Sequence, residues 1–267
     1  MGEISQYGGV LRAAEFAFRP MPGGCSVATP VGPERGAEHI QLDVVRIPPG
    51  AIWAPDESMD EENVVVVFAG SGKGGVGGEV AAIGRASALH APTGQGLRLA
   101  ATGNEELVGY VWRTRLTGAE RHGTAPRTTG TLWDDDVQLR GFTGTGEAPM
   151  PDGTRPARMN FIFWPGSGSA RLCLHCGIQE PGEVFNVHTH PESDEAFIAF
   201  EGVGQIYHLD RWHDVRAGDV LFARPGVPHG AGNPYQGPDA RRFVTCGGPT
   251  PFDARLYARA GLSQEVR

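Results

Sequence analysis

The chain is short of lysine and has no cluster of basic residues. Lys73 is the single lysine among 23 basic residues, and the arginines are scattered along the chain rather than grouped. Because 31 acidic residues outnumber them, the formal net charge is −8. A nucleic-acid-binding domain usually presents a basic patch or stripe. The composition therefore argues against nucleic acid as the main partner.

Long apolar runs are also lacking. No segment approaches the roughly 18 consecutive apolar residues of a membrane-spanning helix, and the N-terminal segment has no apolar core of a signal peptide. We therefore expect a cytoplasmic protein without a membrane partner.

Cysteine is scarce, and the four cysteines are too few for a disulfide scaffold in a chain of 267 residues. Cys173 and Cys176 have the spacing of a redox or metal-binding pair. They fall in an expected strand, however, where positions i and i+3 face opposite sides. We expect free, buried thiols.

Glycine and proline are abundant, at 40 and 21 residues. They leave little room for long helices and suit short strands joined by turns, so the expected fold class is all-β. Val64–Phe68 is apolar throughout and is predicted to be a strand buried on both faces. Phe252–Leu262 is predicted to contain one short helix.

One short segment gathers three side chains of the types that bind transition metals. His188, His190 and Glu195 lie within 8 residues. Side chains two apart on a strand point to the same face, so the two histidines are predicted to share a face. Glu195 opens an apolar run that is predicted to be the returning strand of a hairpin. Three ligands are thereby expected around one point.

The segment has a second copy in the first half of the chain. The spacing of Gly182, the two histidines, Glu195 and Gly202 maps without a gap onto residues 50–70. Asp56, Ser58 and Asn63 occupy the places of the three ligands in that copy. The chain is therefore predicted to contain two related β-domains, at 1–120 and 158–267, joined by a connecting segment at 121–157.

These spacings resemble those of the cupins, small β-barrels of the jelly-roll type, and in particular two-domain bicupins. The stretch from Gly182 to Gly202 satisfies the first cupin motif, G(X)5HXH(X)3–4E(X)6G. Gly218, Gly226, His229 and Asn233 satisfy the second, with Arg224 in place of the usual proline.

The resemblance implies that one metal is held by His188, His190, Glu195 and His229 in the C-terminal barrel only. Three imidazoles and a carboxylate suit Fe, Mn or Ni, which we favour, and also Zn or Cu. Four ligands leave positions on an octahedral ion for substrate or dioxygen. Metal held for structure alone is the alternative, although structural sites usually close a tetrahedral shell.

The expected function is that of a metal-dependent enzyme, with a dioxygenase acting on a small chelating substrate as the first choice. The chain also resembles ureidoglycine aminohydrolases in length, in its single metal motif and in the segment GQIYHLDRW. That family binds its metal through a different ligand set, so a hydrolase or an isomerase is the second expectation. A small-molecule-binding bicupin without enzymatic activity is the third, and a homo-oligomer is compatible with all of them.

Four further residues are candidates for substrate contact or catalysis. Asn186 has the strand parity of His188 and is expected on the same inward face. One of Tyr207 and His208 must face inward, where it is a candidate general acid or base. Arg224 is a candidate for bidentate binding of a substrate carboxylate, with surface exposure as the alternative.

Overall fold

The computed structural model describes residues 6–55, 59–118, 120–144 and 150–262. The two first-copy positions Asp56 and Ser58 lie outside the described residues. Strands dominate the described part of the chain, so the all-β expectation is confirmed.

The strands follow one another in chain order as β1 (Gly8–Leu11), β2 (Arg19–Pro20), β3 (Ser26–Val31), β4 (Gln41–Ile47), β5 (Ile52–Trp53), β6 (Glu61–Ala69), β7 (Ser71–Val76), β8 (Glu79–Gly84), β9 (Ser87–Ala91), β10 (Leu97–Ala101), β11 (Leu107–Arg115), β12 (Thr129–Thr131), β13 (Gln138–Arg140), β14 (Arg155–Pro156), β15 (Arg158–Phe163), β16 (Leu174–Gln179), β17 (Glu183–His188), β18 (Asp194–Glu201), β19 (Val203–His208), β20 (Arg211–Arg216), β21 (Val220–Ala223), β22 (His229–Gly232) and β23 (Phe243–Thr250). The described helices are the 3-10 turns Ala13–Glu15, Pro22–Gly24, Pro33–Arg35 and Pro165–Ser167 and one α-helix, α1 (Ala254–Arg259). The short C-terminal helix predicted from the sequence is thereby confirmed.

Each half of the chain forms a barrel from a large and a small sheet. The first barrel has a seven-stranded sheet, β12-β9-β6-β11-β4-β3-β2, and a four-stranded sheet, β5-β10-β7-β8. The second has a seven-stranded sheet, β1-β21-β18-β23-β16-β15-β13, and a five-stranded sheet, β14-β17-β22-β19-β20. A buried apolar cluster fills the interior of each barrel.

The two seven-stranded sheets pack against each other, since a third buried cluster contains residues of both. In β6, Val64 and Val66 belong to this shared cluster, whereas Val65 and Val67 belong to the interior of the first barrel. Both faces of the strand are therefore buried, which explains its unbroken apolar sequence. Phe68 and Phe200 meet edge to face at 5.7 Å between the barrels.

The barrels also exchange strands. β1, from the N-terminal part of the chain, pairs antiparallel with β21 of the second barrel. β12, from the connecting segment, pairs antiparallel with β9 of the first barrel. Each large sheet is thus completed by a strand from outside its own repeat.

Two carboxylates join the barrels in a reciprocal manner. Glu62 on β6 accepts hydrogen bonds from the backbone N–H groups of residues 170–172, at 2.9, 2.9 and 3.0 Å. Asp194 on β18 accepts from the N–H groups of Glu38 and His39, at 2.7 and 2.6 Å. The internal repeat that maps Asn63 onto Glu195 also maps Glu62 onto Asp194. The duplication is therefore visible in the contacts between the barrels as well as in the sequence.

The predicted hairpin between β17 and β18 is wrong. β17 lies in the five-stranded sheet and β18 lies in the seven-stranded sheet, so the turn between them crosses from one sheet to the other. His188 and Glu195 consequently approach each other from two facing sheets. Among the described residues, none of the helices has the length and apolar character needed to cross a bilayer.

Candidate metal centre

Three histidines converge inside the second barrel. His188 ends β17, His190 follows two residues later, and His229 begins β22 directly opposite His188 in the ladder. One nitrogen from each ring lies within 4.8 Å of the others. The ring centroids are 4.5 to 5.3 Å apart. The sequence-predicted histidines are therefore brought together.

A β-bulge in β17 aims His188 into the barrel. Phe185 pairs with Ala231 and His188 pairs with His229, so two residues of β17 oppose the single Gly230. A Cβ atom on Gly230 would lie 2.8 Å from the Phe185 carbonyl oxygen, so a larger residue would collide with the bulged strand. The bulge shifts the alternation of side chains by one position.

This shift corrects the expectation for Asn186, which rested on unbroken alternation. Its side-chain amide donates to the carbonyl of Thr143 at 2.8 Å. The structure thus places the Asn186 side chain against the connecting segment rather than on the face of His188.

Hydrogen bonds fix the orientation of all three rings. The Nδ1–H of His188 donates to the carbonyl of Asn186 at 2.9 Å, and that of His229 donates to the carbonyl of Val227 at 2.8 Å. The Nδ1–H of His190 donates to Asp253 Oδ2 at 3.0 Å. Each ring therefore carries its proton on Nδ1 and keeps a lone pair on Nε2, which is the usual arrangement of metal-binding histidines.

The inward atoms lack partners. Nε2 of His190, Nε2 of His229 and Oε2 of Glu195 are buried and accept no hydrogen bond from the described residues. Buried polar atoms are nearly always paired, so several orphaned atoms in one place indicate an additional group. The donor set, three imidazole nitrogens and a carboxylate, fits a divalent transition metal.

Glu195 lies at the edge of this cluster. Its Oε2 is 3.5 Å from His190 Nε2, and its Oε1 is 3.8 Å from His175 Nε2. Burial, with a contribution from Asp253, raises the pKa of Glu195 well above its usual range. A nearby cation would be needed to hold this carboxyl in its charged form.

Burial keeps His188 and His229 neutral. Burial, together with the neighbouring His190, lowers the pKa of His188 to about 3, and burial lowers that of His229 well below its usual value. Neutral imidazoles present the lone pairs that a metal requires. His188 and His229 are therefore in a protonation state that can bind a metal at neutral pH.

His175 is a residue that sequence reasoning missed. It is buried within the second barrel beside Glu195, and burial followed by the effect of His190 lowers its pKa to about 3. The sequence did carry a signal. Cys173 packs in the barrel interior and Cys176 in the cluster between the barrels, as expected, so alternation places His175 on the interior side with Cys173.

Aromatic residues enclose the centre. Phe142 from the connecting segment meets the ring of His188 edge to face at 4.9 Å. The ring centroid of Tyr257 of α1 lies 6.0 Å from that of His190 and 5.2 Å from that of Phe161. The Tyr257 hydroxyl is buried without a hydrogen-bond partner among the described residues. Each of the four candidate ligands is at most 7% exposed. The centre is closed to bulk solvent in this conformation.

The remaining candidates are divided between interior and surface. His208 is buried directly opposite His229 in the ladder, with Nε2 3.2 Å from the carbonyl of Tyr7. Tyr207 points to the other face of its strand and contacts Trp212. Arg224 forms an ion pair with Glu38 at the junction of the barrels. Binding of a substrate carboxylate by this arginine stays a prediction.

A second group of three, Glu62, His90 and His122, lies beside the junction of the barrels. Glu62 Oε1 accepts from His90 Nε2 and from the Ser169 hydroxyl, both at 2.8 Å, in addition to its three backbone donors. His90 Nδ1 faces the carbonyl of Arg127 at 2.9 Å. Both nitrogens of His90 therefore face acceptors, which a doubly protonated ring satisfies.

His122 Nε2 accepts the backbone N–H of Thr93 at 3.0 Å. The proton of this ring is therefore on Nδ1, which lies 3.6 Å from Glu62 Oε1 without a hydrogen-bond partner among the described residues. Neither histidine of this group offers a free lone pair.

Comparison with known proteins agrees with the fold. Residues 178–245 match the family model described as a cupin domain. This match lies within the second barrel, and the two tandem β-barrels have the fold of a bicupin. No curated protein matches the chain in sequence.

Solved structures with the same architecture are similar at low sequence identity. Protein Ylba from E. coli has a TM-score of 0.65 at 16% identity over 89% of each chain. The putative glyoxylate induced protein from Pseudomonas aeruginosa has a TM-score of 0.70 at 16% identity, over 91% of this chain and 87% of that one. A variant of oxalate decarboxylase from Bacillus subtilis has a TM-score of 0.62 at 15% identity, over 95% and 79%.

Proposed function

We propose that the second barrel binds one divalent transition metal through His188, His190, His229 and Glu195, and that the protein is an enzyme acting on a small organic substrate that chelates this metal. The convergence of histidine Nε2 atoms, two of them without a partner among the described residues, carries the proposal. Aromatic side chains enclose the site, which favours a catalytic ion over an ion adsorbed at the protein surface.

Dioxygenation is the favoured reaction. Iron, manganese or nickel suits a ligand set of three histidines and one glutamate, with zinc or copper as alternatives. When bound, such an ion supplies Lewis acidity for the chelating group and a site for dioxygen. The surrounding aromatic side chains would exclude water and limit the size of the substrate.

The supply of buried basic side chains limits the number of anionic groups that a substrate can carry. Among the described residues, Arg171 is the single buried basic residue other than histidine, and its guanidinium pairs with Glu120 at 2.9 Å. A second anionic group on the substrate would therefore have no buried partner, and burying an unpaired charge is costly. We expect a substrate with one chelating group and an otherwise neutral body.

The test is a turnover assay with defined metals. Metal-free protein is reconstituted separately with Fe²⁺, Mn²⁺ and Ni²⁺ and supplied with small chelating compounds such as β-diketones and enediols. Dioxygenation predicts oxygen consumption in step with substrate loss. Equal turnover under argon would rule it out.

A hydrolase or isomerase is the second candidate, since His175 and the Tyr257 hydroxyl are buried near Glu195 and are groups of the kind that transfer protons. Turnover under argon, for example ammonia release from ureidoglycine, would support this alternative. Metal-dependent binding of a compound without any product would instead support a binding protein without enzymatic activity.

A further inference from the structure

One carboxylate connects a candidate metal ligand to the C-terminal helix. Asp253 Oδ2 accepts the Nδ1–H of His190 at 3.0 Å. Asp253 Oδ1 accepts the backbone N–H of Leu256 at 2.9 Å and so caps the first turn of α1. Both oxygens of the same side chain are therefore in use. Movement of the helix start would disturb His190, and the reverse also holds.

The helix closes one side of the centre. Leu256 and Tyr257 are buried in the interior cluster of the second barrel, and Tyr257 lies against His190. The outer side borders a cleft of about 700 Å³ that includes Glu192, Ser193, Asp253 and Arg259. The helix thus lies between this cleft and the buried ligands.

The two elements that cover the metal centre, the connecting segment and helix α1, are attached to the second barrel in different ways. The connecting segment carrying Phe142 lies between β13 and β14, which both pair with strands of the second barrel. Helix α1 belongs to no sheet, and Phe252, just before it, is held by a backbone hydrogen bond to Arg171 O at 3.1 Å. Elements held mainly by side chains open at lower free energy than paired strands.

We propose that Asp253 is a positioning residue that couples metal binding at His190 to docking of residues 254–262, which cover the metal centre. The coupling rests on the proposed metal site. A carboxylate on Nδ1–H strengthens the imidazole as a ligand and fixes its orientation. Coupling between two equilibria is reciprocal. Undocking of the helix must therefore lower the metal affinity by the same factor by which loss of the metal lowers the docking equilibrium constant of the helix.

The test combines metal titration with hydrogen exchange on the full chain, using Mn²⁺ and Ni²⁺ as probes. In the wild-type protein, metal is expected to slow exchange of the backbone amides of residues 254–262. Asp253→Ala is expected to lower metal affinity about 10- to 100-fold and to remove this protection. Asp253→Asn, which keeps a capping oxygen, should give an intermediate loss and guards against a folding defect.

Leu256→Ala tests the coupling in the opposite direction, from the helix to the metal. It loosens the helix from the barrel core while leaving the candidate ligands unchanged. It should lower metal affinity, whereas Arg255→Ala, on the exposed face of the same helix, should not. Metal binding of unchanged affinity in Leu256→Ala, or equal metal protection of the helix in Asp253→Ala and wild type, would overturn the coupling alone. Absence of metal binding in the wild type would overturn both the coupling and the proposed function.

Discussion

Two groups of side chains in the described part of the chain have the composition of a metal site, and they differ in how their lone pairs are used. In the group of Glu62, His90 and His122, the carboxylate receives five hydrogen bonds and the ring of His90 faces an acceptor at each nitrogen. In the second barrel, His190 and His229 each commit Nδ1 and leave Nε2 without a partner among the described residues.

The difference shows that residue type and proximity are insufficient to define a metal site. Glu62 and His90 serve as a buried ion pair that holds residues 170–172 of the second barrel. The same position in the repeat, Asp194, also binds the opposite barrel, while the next residue, Glu195, turns inward toward the histidines. In the second copy, Asp194 thus contacts the opposite barrel while the adjacent Glu195 faces the candidate metal centre, and variants can separate contact between the barrels from metal binding.

The largest effect is expected from removal of two second-barrel histidines. His188→Ala with His190→Ala deletes two of the four proposed ligands and should reduce metal affinity more than about 100-fold, because metal binding depends on ligand number. Calorimetric titration with Mn²⁺ or Ni²⁺ measures the affinity, and circular dichroism checks that the barrels remain folded. Wild-type affinity in this double variant would locate the metal elsewhere.

Glu62→Gln should affect stability instead of metal binding. Removing one partner of a buried ion pair typically costs about 3–5 kcal/mol. Here the five donors that face Glu62 would lose their charged acceptor. Urea denaturation measures the loss, and metal affinity should stay within about twofold of wild type.

The matched control for that variant is Glu61→Gln at the neighbouring position. Glu61 is partly exposed and pairs with Arg115 at 3.4 Å, so its replacement should cost less than about 1 kcal/mol. Similar destabilisation by the two variants would contradict the assigned role of Glu62.

Acid should weaken the metal-free protein through the same carboxylate. Burial alone would raise the pKa of Glu62, but hydrogen bonds and the charge of His90 lower it from 4.5 to about 2. The folded pKa is depressed, so the stabilisation is complete above about pH 4.5 and is lost as pH falls toward 2, amounting to about 3 kcal/mol. Urea denaturation at pH 7, 4 and 3 should show a steeper decline in wild type than in Glu62→Gln. Parallel declines would contradict this.

The smallest effects are expected for two residues outside both groups. Arg224→Ala and Tyr207→Phe remove side chains that lie away from the second-barrel histidines, so each should change metal affinity and turnover less than about twofold. Steady-state kinetics and metal titration measure both quantities. A tenfold loss of turnover in Arg224→Ala would indicate that the arginine moves toward the substrate.

Much of the fold could be predicted because duplication left a regular spacing in the sequence. The repeat, the two barrels and the buried strand β6 all follow from glycine positions and apolar runs. The exchanged strands β1 and β12 could not be assigned to their sheets, since both are short edge strands whose pairing depends on tertiary contacts.

Within the site, His188, His190 and Glu195 were found because their spacing is local, whereas His229 was assigned only through the resemblance to the second cupin motif. Strand parity placed His208 and Tyr207 on opposite faces. Asn186 was misplaced because a bulge, specified by the lack of a side chain at Gly230, interrupts the alternation. The partnership of Asp253 with His190 could not be predicted, since 63 residues separate them in the chain.

The central claim is that one barrel holds the metal and the other group of three does not. Elemental analysis of protein purified without a histidine tag tests it directly, in wild type, in Glu62→Gln and in the variant lacking His188 and His190. We predict about one transition-metal ion per chain in the first two and almost none in the third. A metal-free wild type, or metal lost in Glu62→Gln and kept without His188 and His190, would contradict the account.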